Sequence, residues 1–187
     1  MEYPWYESLL PFSHELLQGD LIPSCPIVVL PKSLEPNGEI DVDIVEYNVV
    51  VVSQSCDLEN GKVENVLVCP YYTFQHYITD VLKQEERTNK TIKRHFEEMQ
   101  RGNQPNYHLL NKDASKGLND YIFVDFRNVF AVHIDFLSSH LQTIESRVRL
   151  LPPYREHLSQ AFARFFMRVG LPQNIPPVDP EIYLPKK

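Results

Sequence analysis

Four consecutive valines, Val49 to Val52, lie between Asn48 and Ser53 and constrain the fold of this chain more than any other feature. β-Branched side chains are stiff at χ1 and favour the pleated, extended backbone. A strand turns successive side chains to opposite faces, so an unbroken apolar run places valines on both. The run therefore predicts a central strand covered on its two sides. Four apolar residues are also far short of the roughly 20 that a membrane-spanning helix needs.

Strand signals surround this run. Gly19-Asp20-Leu21-Ile22 opens one extended piece, and Pro26 to Leu30 reads as a second. Ile40 to Ile44 alternates apolar and acidic residues, the period of a half-buried strand. Further strands are predicted at Glu64 to Cys69, Tyr107 to Leu110, Tyr121 to Phe126, Val129 to Ile134 and Arg147 to Leu151, with a tight hairpin at Arg127-Asn128. Phe74, Tyr77, Ile78, Val81 and Leu82 instead have helical spacing, as do Ile92, Phe96 and Met99, and a short helical piece covers Phe136 to Leu141. The last helix follows Pro152-Pro153, with an apolar stripe of Tyr154, Leu158, Ala161, Phe162, Phe165 and Val169 before Gly170. The expected fold class is α+β: a small, strongly bent antiparallel β-sheet or SH3-like open barrel. It carries a helical insertion (about 73–101) and a C-terminal helix (about 153–169). Residues 1–172 are expected to form a single domain, and 173–187, rich in proline, an extended tail.

Charge is uneven along the chain. The first 70 residues hold twelve acids and two bases, the remainder thirteen acids and sixteen bases, for a net charge of −7. The bulk charge argues against coating nucleic acid but leaves a local anion site open. The acidic, aromatic start Met1 to Glu7 lacks the basic and apolar regions of a secretory signal. Together with three cysteines, a poor disulfide framework, this predicts a cytoplasmic protein with no membrane partner.

The densest chemical candidate is Ser53-Gln54-Ser55-Cys56-Asp57, directly after the valine strand. Ser53, Cys56 and Asp57 are the catalytic candidates. Cys56 needs a histidine to make its thiolate, and no histidine is marked as its partner. The simpler expectation is a turn in which the serines and Asp57 bond local backbone donors while Cys56 packs inward as a small apolar group. Cys25, Cys56 and Cys69 contain no Cys-x-x-Cys pair, so no metal is expected. Glycine-rich phosphate loops and hydrolase motifs are absent, and no cofactor is expected.

An arginine cluster is the stronger signal. Residues 147–170 contain Arg147, Arg149, Arg155, Arg164 and Arg168 against the single acid Glu156. Guanidinium groups bind phosphate and carboxylate with two prongs, so Arg147, Arg149 and Arg155 are the candidate anion-binding residues. His157, Gln160, Arg164 and Arg168 add a polar helical stripe, in which the last two also suit the helix dipole.

Three stretches, Gln18 to Ile22, Val49 to Leu58 and RVRLLPPYREHLSQAFARFFMRVGLP from Arg147 to Pro172, resemble an uncharacterised family of bacterial proteins. That resemblance implies a bacterial origin and no particular activity. Gly19-Asp20 and Val49 to Ser53 are also faintly similar to the MazF/PemK toxins, small barrels that cleave RNA. The arginine usual before the apolar strand of such toxins is replaced here by Glu46-Tyr47-Asn48. The leading expectation is a non-catalytic binding or regulatory module, recognising a protein or an anionic ligand through its arginines. The alternative is a toxin-like or phage-defence hydrolase directed at nucleic acid, and behind it a cysteine-dependent enzyme.

Overall fold

A computed structural model describes residues 3–10, 15–33 and 42–167. The elements run β1 (Tyr6–Leu9), β2 (Asp20–Val29), β3 (Asp43–Val51), α1 (Ser55–Glu59), β4 (Asn65–Thr73) and α2 (Phe74–His76). A π-helical turn (Tyr77–Val81) and a 3-10 turn (Gln84–Glu86) lead to α3 (Asn89–Gln100) and β5 (Tyr107–Leu110). Another 3-10 turn (Ala114–Lys116) precedes β6 (Ile122–Asp125), β7 (Phe130–His133), α4 (Ile134–Leu141), β8 (Arg147–Leu150) and α5 (Tyr154–Phe166). The fold is α+β. Among the described residues eight strands form one antiparallel, open sheet in the order β1-β8-β2-β3-β4-β6-β5, with β7 also on β4.

The valine strand is covered on both faces. Val50 and Val52 join Tyr6, Leu21, Val124, Leu150 and Leu158 inside the bend of the sheet. Val49 and Val51 face the other way, with Ile22, Val66 and Val68, under Leu137 and Leu141 of α4. A third cluster holds Phe74, Tyr77, Met99, Tyr107 and Phe123, where the helical insertion lies on β5 and β6. Phe123 and its neighbour Val124 enter different clusters because successive strand residues alternate between faces.

Several predicted boundaries move. The pieces at 19–22 and 26–30 belong to a single strand, β2, with a bulge that shifts its register against β3 between Ile22 and Cys25. Ser24 takes φ 47 there, and its amide donates to Asn48 Oδ1 at 3.1 Å. The bulge absorbs Pro23, which has no amide for the ladder. The hairpin predicted at Arg127-Asn128 does not form. Instead β6 and β7 follow one another along the same edge of β4, pairing Tyr71 with Val124 and Val68 with Phe130. Residues 126–129 loop out between them, held by Asp125, which accepts from the Arg127 amide and side chain. β1 had no sequence prediction, although it pairs with the whole of β8. The predicted helix at 74–82 is α2 continued as a π turn. The end of the last helix near 169, the tail at 173–187 and the start of the strand at Ile40 lie outside the described residues.

Candidate functional site

The arginines of β8 turn inward. Arg147 is 3% exposed, Arg149 7% and Asp20, between them, 0%. Arg147 donates from Nε to Asp20 Oδ2 at 3.1 Å. Arg149 donates from Nη2 to the same oxygen at 3.0 Å and from Nε to Oδ1. The Nη2 groups of both also reach the Glu15 carbonyl, at 2.6 and 2.8 Å. Burial works against the charge of Arg149, but its hydrogen bonds to Asp20 and the surrounding carboxylates outweigh this and hold its pKa above the ordinary value. These two guanidiniums are committed to an internal anion, so an external one does not find them open.

Asp20 reaches them through a short connector. Gln18 sends its Nε2 to the Val52 carbonyl at 2.9 Å, and its amide donates to Ser55 Oγ at 3.2 Å. Gly19 donates to the Val51 carbonyl and accepts from the Leu150 amide, both at 2.9 Å. It has φ +85, and a Cβ there would lie 3.0 Å from Leu150 Cβ and 3.4 Å from Arg155 Cγ. Glycine is needed for both the backbone angle and the close approach. Three adjacent residues thus tie the end of β3, the start of α1 and the strand β8 together.

Around this junction lies a cleft of about 330 Å³. One wall is Gln18 with Gln54, Ser55 and Cys56. The other is the first half of α5: Arg155, Glu156, Ser159 and Gln160. Every lining side chain carries a hydrogen-bonding or sulfur group. Of the three predicted anion-binding arginines only Arg155 lines it, and of the catalytic candidates Ser53, Cys56 and Asp57 only Cys56. Arg155 donates from Nε and Nη2 to Glu156 Oε1 at 3.2 and 3.0 Å, and both partners touch solvent. Such a pair is worth roughly 0–1 kcal/mol, and Arg155 Nη1 has no partner among the described residues. The guanidinium can therefore be shared with, or given over to, a second anion.

The remaining candidates are structural or scattered. Ser53 Oγ accepts from the Leu67 amide at 2.8 Å and so fixes the end of the valine strand against β4. Asp57 lies in the first turn of α1 and pairs with Lys62 at 3.8 Å. Cys56 does not pack inward as expected: it is exposed at the start of α1, and among the described residues its thiol meets only Gln54 Oε1 at 3.6 Å and Asp57 Oδ1 at 3.9 Å. Cys25 and Cys69 belong to clusters on opposite faces of the sheet. Burial raises the Cys25 pKa to about 11, and burial with Asp125 raises that of Cys69 to about 12, so both stay as inert thiols at neutral pH. Sequence reasoning overlooked Gln18 as a site residue, although it directly precedes the Gly-Asp pair that opens β2.

Among the described residues no helix is long and apolar enough to cross a membrane. No protein-family model, curated protein or solved structure matches the chain, so a functional reading rests on the site itself.

Proposed function

We propose that this protein is a non-catalytic binding module that captures an anionic group, a phosphate or carboxylate of a ligand or protein partner, in the cleft between the Gln54–Cys56 turn and α5. The observation that carries the reading is the meeting of Arg155 with an all-polar wall supplied from residues 18 and 54–56. The guanidinium supplies charge and two-pronged geometry, while Gln54, Ser159 and Gln160 offer neutral donors for the remaining oxygens. The cleft offers recognition without a reaction centre. No histidine lines it, so Cys56 has no base to generate a thiolate, and Ser53 spends its oxygen on a backbone amide.

A charge-assisted contact of this kind is worth roughly 1.5–3 kcal/mol. Replacing Arg155 by alanine is therefore expected to weaken phosphate binding about tenfold or more. Titration of the full chain with inorganic phosphate, followed through the backbone amide NMR signals of Gln54 to Cys56 and Arg155 to Gln160, tests this. Saturable shifts there that vanish in Arg155→Ala support the reading. Shifts elsewhere only, or unchanged affinity in the variant, overturn it.

A further inference from the structure

Farther round α5, with Gln160 shared between the Arg155 cleft and the first of them, two clefts adjoin. One, of about 260 Å³, is lined by Arg101, His108, His157 and Arg164 and by no aspartate or glutamate. That is a pronounced local excess of basic groups in a chain of net charge −7. Arg164 makes no hydrogen bond or ion pair among the described residues. Arg101 meets only Glu97, at 3.6 Å on the solvent side. The second cleft, of about 500 Å³, shares Gln100, Leu109 and His157 with the first and is walled by Trp5, Phe96, Tyr121 and Tyr154. Trp5 and Tyr154 stack with centroids 3.6 Å apart and planes at 9°. Across from them Phe96 sets its edge on Tyr121 at 4.8 Å, and the Lys112 ammonium lies 5.3 Å over the Tyr121 ring. All four aromatic residues are only half-buried.

We propose that these joined clefts bind a free nucleotide, with its phosphate among Arg101, His157 and Arg164 and its base against the aromatic walls. A nucleotide divides chemically as the clefts do, into an anionic end and a flat, π-faced end. A phosphate or carboxylate alone gives no use for the aromatic walls, and an apolar ligand gives none for the arginines. The two volumes, about 260 and 500 Å³, together match the roughly 300–1,000 Å³ of small-molecule sites. Burial, and next the charge of His157, push the His108 pKa down to about 4. It is therefore a neutral imidazole at pH 7, able to hydrogen-bond a phosphate or ribose oxygen. A single nucleotide fits better than a strand, because a strand needs cations along its path and Arg147 and Arg149 are closed on Asp20. The proposal is independent of the Arg155 cleft.

Trp5 is the only tryptophan of the chain, so its fluorescence reports on the aromatic cleft. The full-length protein is titrated with AMP, with ribose 5-phosphate and with a six-nucleotide adenine oligomer. Saturable quenching by AMP is expected. It should be relieved competitively by ribose 5-phosphate, which does not itself quench, and weakened about tenfold in Arg164→Ala. Arg164→Ala should melt at the wild-type temperature, since the side chain is exposed and has no partner among the described residues. Arg155→Ala should quench like the wild type, which separates this site from the other. Quenching that rises linearly without saturation overturns the proposal, as does equal affinity in Arg164→Ala. An oligomer that binds more than sixfold tighter than AMP overturns it too, by making the ligand a strand.

Discussion

Arg147 and Arg149 on β8 and Arg155 and Arg164 on α5 come from one short stretch of sequence and meet opposite fates. The strand pair is buried and closed on Asp20. The helix residues stay at the surface, one leaning on its neighbour Glu156 and the other without a protein partner among the described residues. The difference lies in what each element packs against. β8 sits between β1 and β2, and the face opposite Val148 and Leu150 meets the start of β2, where Asp20 pairs in register with Arg149. α5 lays its apolar stripe into the bend of the sheet through Leu158, Ala161, Phe162 and Phe165, so its polar stripe is left to solvent and to the three clefts. Guanidinium groups on the strand hold the fold together, and those on the helix are free to recognise something else.

Breaking the strand side of this contrast should produce the largest effect. Asp20→Asn removes the carboxylate that two buried guanidiniums share, leaving Glu7 at 4.0 Å from Arg149 as a more distant counter-charge, and losing one partner of such a cluster costs about 3–5 kcal/mol. Urea unfolding should show that loss, and a variant as stable as the wild type would mean the pair is neutralised by something other than Asp20. Gly19→Ala comes next. Its left-handed backbone alone costs an alanine about 1–2 kcal/mol, and the 3.0 Å approach to Leu150 adds strain. Thermal unfolding reads the sum.

The third test concerns pH. The folded pKa of His108 is lowered, by burial and then by His157, to about 4 from 6.5. As pH falls the unfolded chain takes up this proton first. Stability contributed by the neutral imidazole is therefore complete above about pH 6.5 and lost as pH falls toward 4. The other titratable side chains that line its cleft include Arg101, Arg164 and His157, all basic, and no aspartate or glutamate lines it. His108→Phe, beside the ring of Phe126, should flatten that part of the stability curve, measured by urea midpoints from pH 4 to 7. The smallest change is expected on the helix side: Arg155→Ala should alter stability by no more than about 0.5 kcal/mol. A much larger loss would make Arg155 a structural residue like its strand neighbours and erase the contrast.

What the sequence disclosed follows from what is local. The valine run, the stripe of α5 and the helical spacing in the insertion each carry their signal within a few residues, and each element formed. The partnership of Asp20 with Arg147 and Arg149 spans well over a hundred residues, and no local pattern encodes it. A charge count over residues 147–170 registers five arginines but not which of them a distant carboxylate has claimed. The false hairpin at Arg127-Asn128 has the same origin. Two apolar runs with a polar break look alike whether the strands fold back on each other or continue along a third, and only β4 decides. The aromatic walls of Trp5 and Tyr121 were illegible for a related reason, since they meet only where β1 and the loop before β6 converge on α5.

Cys56 offers the most direct test of the Arg155 cleft, because its exposed thiol lines that cleft while Cys25 and Cys69 are buried and held protonated. The rate of Cys56 alkylation by iodoacetamide should fall several-fold when inorganic phosphate saturates the wild-type protein, and should not change in Arg155→Ala. Equal rates with and without phosphate in the wild type would show that no anion docks beside Arg155, and would contradict the account.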